Sequence, residues 1–200
     1  MSRLDFQRAQ AIGSVVNLGC GDDPANLGDR ATHLDIDTWD LPNFVLGDVH
    51  NLPFDDGLFD TAILGDVLEH CANPERAVRE AARVARRVVI TVPEELALPS
   101  VGQHLALGLK QRADHYRNVH GWQDAPMSDE EVIVAHKRTD PRFVSAWPES
   151  EIPHDGHVNR FDEAWVRRLI EASGKKCTHF SKEPEGVPGE SWHNWLVVLE

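Results

Sequence analysis

Cysteine is scarce: Cys20, Cys71 and Cys177 are the only three in 200 residues, an odd number, far apart and without a C-x-x-C spacing. That excludes a disulfide framework or zinc knuckle as the source of stability and agrees with a reducing compartment. Long apolar runs are missing too, and nothing approaches the roughly 18 residues of a membrane span. Met1 to Gln10 carries Arg3, Asp5 and Arg8 where a signal peptide needs an apolar core. The expectation is a cytoplasmic protein with no membrane contact. Basic residues are outnumbered, 20 Lys and Arg against 33 Asp and Glu, and the net charge of −13 repels phosphate backbones and anionic headgroups. Nucleic acid is therefore not an expected partner. Repeats and low-complexity tracts are also absent, and a chain of this length buries about two-thirds of its unfolded surface in one core. A single domain over residues 1–200 is the expected organisation.

What is present is an ordered series of short apolar runs. Val15 to Leu18 ends in Gly19-Cys20-Gly21, Ala31 to Ile36 ends around Asp35 and Asp37, Phe44 to Leu46 ends in Gly47-Asp48, and Phe59 to Leu64 ends in Gly65-Asp66. Each reads as a buried strand whose carboxyl end opens into a polar loop. Arg87 to Val92 is a fifth, stopped by Pro93. Before it lies a helix with Asn73 as N-cap, Pro74 at the first position, and Ala77, Val78, Ala81, Val84 and Ala85 on one face. A second helix follows Asp162, with Phe161 placed to staple onto Val166 and Gly174 as its stop. Lys175 to Phe180 and Trp192 to Leu199 are the last strands, placed as an antiparallel edge. This is an α/β pattern with a largely parallel sheet, whose ligands sit beyond the carboxyl ends of the strands. Residues 94–160 interrupt it with five prolines, six of the eleven histidines and patchy periodicity, and read as an insertion.

Glycines after a buried strand let a backbone approach an adenosine cofactor closely. The third glycine of a dinucleotide fingerprint is missing, since Pro24 stands there, and Asp22 and Asp23 fall where a pyrophosphate needs N–H groups. A cofactor with a sulfonium and no phosphate tolerates those aspartates. Asp35, at a strand end, suits two ribose hydroxyls because a carboxylate offers two acceptor oxygens, although a turn-forming aspartate has the same position.

The successive stretches Val15-Val16-Asn17-Leu18-Gly19-Cys20-Gly21, His33 to Asp37, Gly47 to Phe54 and Phe59-Asp60 through Glu69-His70 resemble the motifs of class I S-adenosylmethionine-dependent methyltransferases, most closely the small-molecule branch called type 11. The resemblance covers residues 13–93 and 161–199. It implies a Rossmann-like, seven-stranded, mostly parallel sheet with an antiparallel C-terminal edge, and the 94–160 insertion between strand 5 and the last helix as a lid and acceptor-binding segment; the stretches from Gly21 to Ala31 and from Asp37 to Phe44 are too short for the family's usual helices, so reduced helices are expected after strands 1 and 2. It implies S-adenosyl-L-methionine as cofactor. Gly19, Cys20 and Gly21 then line the methionine part, Asp35 holds the ribose, and Ile36 packs on the adenine. Asp48 accepts from the adenine amino group, Val49 offers its backbone N–H, Gly65 and Asp66 close the floor near the methionine end, and His70 sits close by. Asn17 stands where the family more often has an acidic residue that orders the cofactor's amino group.

Methyl transfer from a sulfonium needs alignment and a dry pocket more than it needs activation of the leaving group, but an oxygen nucleophile needs a base. His154 and His157 are the first candidates, then His115 and His120 in the insertion and Asp66 and His70 in the core. Trp122, Trp147, Trp192 and Trp195 are candidates for an acceptor pocket. The stretch His157 to Phe161 is similar to methyltransferases acting on sugars, glycan ends or related metabolites, so the expected partner is a small-molecule acceptor. No metal is expected, because the neighbours Glu69, His70 and Cys71 cannot converge on one ion; His154-Asp155-Gly156-His157 is a metal or proton-transfer candidate and equally a solvated turn. Two rivals stand beside this reading: an inactive cofactor-binding module serving a partner protein, and a nicotinamide-dependent oxidoreductase.

Overall fold

The computed structural model describes residues 1–71, 73–94, 110, 113, 114, 117, 121–129, 131, 132, 135, 159, 161–185 and 192–200. Seven strands form one sheet in the order β3-β2-β1-β4-β5-β7-β6. They are β1 (Val15–Leu18), β2 (Ala31–Asp35), β3 (Phe44–Leu46), β4 (Phe59–Gly65), β5 (Ala85–Glu94), β6 (Cys177–Glu185) and β7 (Trp192–Leu199). The first five pair in parallel, and β7 runs antiparallel to both β5 and β6. Parallel strands covered on both faces need apolar side chains in succession, and Val15 to Leu18 and Thr61 to Leu64 are buried without a break.

Helix α1 (Arg3–Gln10) covers one face; α2 (Pro74–Val84) and α3 (Glu163–Ser173) cover the other. Asn73 caps α2 by accepting the Arg76 N–H at 3.1 Å, and Ala77, Val78, Ala81 and Val84 are buried against the sheet. Asp162 caps α3 by accepting the Trp165 N–H at 2.7 Å, and Gly174 ends it at a φ of +66°. Phe161 and Val166 both enter the core, but Phe161 packs edge-on against Trp165, with ring centroids 5.1 Å apart. Trp165 Nε1 donates to Glu75 at 3.3 Å, tying α3 to the first turn of α2.

Between β1 and β2 the only helical element among the described residues is the three-residue 3-10 turn Gly28–Arg30, and residues 36–43 between β2 and β3 contain none. The helices after strands 1 and 2 are thus reduced, as the spacing predicts. Two expectations need correction. Pro93 does not stop β5, which runs to Glu94; its pairing with β4 ends at Gly65 and Thr91, so beyond that point the strand is bonded on the β7 side alone and tolerates an imino acid. Strand β6 also runs on past the expected Phe180 to Glu185, with Pro184 at the sheet edge. Helix α1 is an addition: Ser2 Oγ accepts the Asp5 N–H at 3.2 Å, and Phe6 is buried against Val15, Ile63 and Val89.

Candidate functional site

The loops that leave β1, β2, β3 and β4 open on the same edge of the sheet, because these strands run in parallel. Gly19 has a φ of +66°, and a side chain there would come within 2.2 Å of Val67, so the loops after β1 and β4 are pressed together. Gly21 also has positive φ, +49°, but faces open space. One glycine is required by packing; the other leaves room for a ligand.

Asp35 sits at the end of β2 and holds this loop. One oxygen accepts the Gly21 N–H at 2.9 Å and the other the Asp37 N–H at 3.0 Å, each keeping a lone pair that a hydroxyl can use. Beside it Ile36 is 64% exposed, an apolar side chain left uncovered at a strand end. Leu46, at the end of β3, is exposed as well. Asp48 follows, its Oδ1 accepting from the His50 backbone N–H at 2.8 Å and from His50 Nδ1 at 2.6 Å. The imidazole contact, with lesser help from Arg76, holds the Asp48 carboxyl below the ordinary carboxylate range. The Val49 side chain is buried in the main core, which fixes its backbone at this edge.

Other expected residues face inward. The Cys20 side chain is buried, and that burial, assisted by Asp35, pushes its thiol up to about 12, so this position offers a ligand only backbone. Asn17 is buried in a polar cluster: its Nδ2 donates to Asp23 Oδ1 at 3.4 Å and lies 3.5 Å from His33 Nδ1. Asp23 accepts the Gly28 N–H at 2.9 Å on its second oxygen, and His33 Nε2 lies 3.0 Å from the Gly28 carbonyl. Asp23 therefore does not stand against a phosphate as the spacing suggested, because a φ of +59° turns it back into the fold; Asp22 alone is exposed there.

Gly65 and Asp66 are covered by α1. A side chain at Gly65 would meet Gln7 at 2.5 Å. Arg3 pairs with Asp66, Gln7 donates to Thr91 Oγ1 at 2.7 Å, and Thr91 donates to Asp66 at 3.2 Å. This helix, absent from the sequence reading, forms the wall on the β4 side, and its signal was the Ser2 to Asp5 cap ahead of Leu4 and Phe6. His70 is half-buried at the end of the 3-10 turn Leu68–His70. Asn159, fully buried, fastens the return of the insertion to that turn by donating its N–H to the Glu69 carbonyl at 2.9 Å and its amide to Leu68 and Cys71 carbonyls at 2.9 and 2.6 Å.

His154 and His157, with His115, His120 and Trp147, lie outside the described residues, as do most of positions 94–160. Trp122 is half-buried, whereas Trp195 belongs to the main core and donates to the Phe161 carbonyl. A cleft of about 310 Å³ lined by Ala11, Gly13, Val15, Leu27, Arg30 and Ala31 lies at the amino ends of β1 and β2, opposite the loops above. Among the described residues no group of three His, Cys, Asp or Glu could hold a metal ion, and no helix is long and apolar enough to cross a membrane.

The sheet order, with its antiparallel edge, is that of the Rossmann-like methyltransferase fold. The fold is similar to that of a S-adenosylmethionine-dependent methyltransferase from Methanosarcina mazei, at 14% identity and a TM-score of 0.57 over 100% of this chain and 97% of that one. It is also similar to 1,6-didemethyltoxoflavin-N1-methyltransferase of Burkholderia thailandensis, solved with S-adenosylhomocysteine bound, at 14% identity and a TM-score of 0.58 over 98% of this chain and 75% of that one. An alignment 52 positions long is 46% identical to an uncharacterized 37.1 kDa protein of a Streptomyces fradiae transposon and covers 24% of this chain and only 15% of that protein. Residues 17–90 match the type 11 methyltransferase domain. Within that stretch the chain is similar to the type 11 methyltransferase family, and its fold is that of S-adenosylmethionine-dependent methyltransferases.

Proposed function

We propose that the chain transfers the methyl group of S-adenosylmethionine to a small-molecule acceptor, a hydroxyl of a sugar, glycan end or related metabolite. The observation that carries the cofactor half is Asp35: a carboxylate with acceptor capacity on both oxygens, bonded to the glycine loop at 2.9 Å and flanked by the exposed Ile36. These residues fit an adenosine group without phosphates. Open space beside Gly21 accepts an extended chain, Asp35 accepts from the ribose hydroxyls, Ile36 covers one face of the base, and Asp48 with the Val49 N–H meets its polar edge. Gly19, Cys20 and Gly21 supply backbone to the methionine part, with Gly65, Asp66 and His70 across the floor from them. Asn17 completes the cofactor set from β1 through the loop it braces with Asp23.

The bound cofactor supplies an electrophilic methyl whose leaving group departs as a neutral thioether. The chain's own task is alignment of the acceptor, exclusion of water and removal of one proton from the attacking hydroxyl. We assign that proton to His154 or His157, in the 94–160 segment that forms the lid and acceptor-binding part of a single domain; neutral imidazole is a competent base near pH 7. Support for a small acceptor comes from the type 11 match, the net charge of −13 and a family neighbour that bears the name of a small-molecule methyltransferase.

Calorimetric titration with S-adenosylmethionine, S-adenosylhomocysteine and NAD tests the cofactor half. Micromolar binding of the first two and none of the third is expected, and binding of NAD alone overturns it. Labelled methyl transfer to a panel of sugars and glycan ends tests the acceptor; cofactor binding with no transfer to any acceptor pool would leave a binding module in its place.

A further inference from the structure

Asp48 lies on a loop beyond the edge strand β3, and its side chain is 58% exposed. An exposed carboxylate in such a place normally samples several rotamers and discriminates little. Here it does not stand alone. His50 reaches back two residues and donates twice to the same oxygen, from its backbone N–H at 2.8 Å and from Nδ1 at 2.6 Å. The other ring nitrogen, Nε2, accepts the Asn73 N–H at 3.2 Å. That acceptance leaves the proton on Nδ1, aimed at Asp48. Asn73 is the N-cap of α2, whose first residue, Pro74, is buried. The loop is closed by the Asn51 N–H on the Asp48 carbonyl at 3.0 Å and by the Leu52 N–H on Glu80 at 2.9 Å. A rigid helix terminus thus holds the imidazole, and the imidazole holds one oxygen of a carboxylate that is otherwise largely exposed.

We propose that His50 is the positioning residue for purine recognition: it sets the Asp48 carboxylate so that the site accepts an exocyclic amino group and rejects a carbonyl at the same ring position. An ionised carboxylate is an acceptor only, so it bonds an amino N–H and repels an oxygen. This inference rests on the reading of Asp48 as the adenine contact.

The test is calorimetric binding of S-adenosylhomocysteine and of its hypoxanthine analogue, in which the ring amino group is replaced by a carbonyl oxygen, to the full chain and three variants. The unmodified chain is expected to prefer the adenine form by about a hundredfold. His50→Ala is expected to lose about tenfold in adenine affinity and most of the discrimination. An asparagine amide occupies the place of Nδ1 and a glutamine amide the place of Nε2. His50→Asn is therefore expected to restore both quantities to within about threefold, and His50→Gln to behave like alanine. The reverse order, with glutamine rescuing and asparagine failing, overturns the proposal, because the residue then only pins the loop to α2. Equal discrimination in all four proteins overturns it as well. Failure of the unmodified chain to discriminate overturns the Asp48 reading itself and is seen before any variant is made. If the alanine variant does not fold, the asparagine and glutamine pair decides.

Discussion

Asp23 turns its carboxylate back onto Asn17, with the amide nitrogen 3.4 Å from Oδ1, and both side chains are buried. The acidic group that resembling sequences carry on the strand is here on the loop, and the strand carries its donor. Asn17→Asp would therefore set two carboxylates against each other in a buried place. Such a pair keeps a proton to higher pH than either group does in the unfolded chain, so the variant loses stability as pH rises through that raised folded-state value and regains it on acidification. A deficit of about 2 kcal/mol at pH 7 that shrinks toward pH 4 in urea unfolding is the expected result; equal stability at both pH values would show that the cluster is not as closed as described.

The two glycines of the first loop separate packing from binding. Gly19→Ala drives a methyl into Val67 at positive φ and is expected to cost about 3 kcal/mol of stability. Gly21→Ala meets open space, so its stability cost is the backbone strain alone, about 1 kcal/mol, while it narrows the place proposed for the cofactor. Denaturant midpoints and calorimetry on the two variants should move in opposite order.

Legibility in the sequence followed chemistry that is local. Short apolar runs, four of them ending in Gly or Asp, marked the five parallel strands, and Asn73-Pro74 and Asp162 marked two helices, because caps and strand ends are written in a few adjacent residues. Helix α1 was hidden because its inward face includes Gln7, a polar residue buried through its bond to Thr91. Asp35, Ile36 and Asp48 were found at the expected edge. The inward turn of Asp23 was not, since a positive φ at a non-glycine residue leaves no mark in spacing. His50 was invisible as a partner of Asp48 because its orientation depends on Asn73, a residue far along the chain.

Asp35→Ala removes the proposed ribose acceptor and the anchor of the Gly21 N–H together. Cofactor affinity is expected to fall more than tenfold, with the chain still folded. Asp35→Asn keeps an acceptor for the loop and should recover stability without recovering full affinity, a split read by thermal melting beside calorimetry.

Arg83 clamps the loop after β3 by bonding Glu80, Asp56 and the carbonyls of Leu52 and Phe54. The Arg83 contact, together with the Leu52 N–H, holds the Glu80 carboxyl below its usual 4.5. A lowered folded value means that this contribution is fully present above about pH 4.5 and lost as pH falls through the folded value. Glu80→Gln is expected to flatten the acid limb of the stability curve while costing about 1 kcal/mol near pH 7, a modest figure because the pair is partly exposed. An unchanged acid limb in guanidinium titrations would remove the pair from that role.

Strand β7 is later in the chain than β6 yet lies between it and β5. During synthesis, the β5 edge from Val88 to Glu94 lacks its β7 partner until residues 192–199 emerge, and β6 lacks the one strand it pairs with among the described residues. The nascent chain is therefore obliged to wait with an unsatisfied apolar rim, and this is the stage at which a chaperone would be needed most.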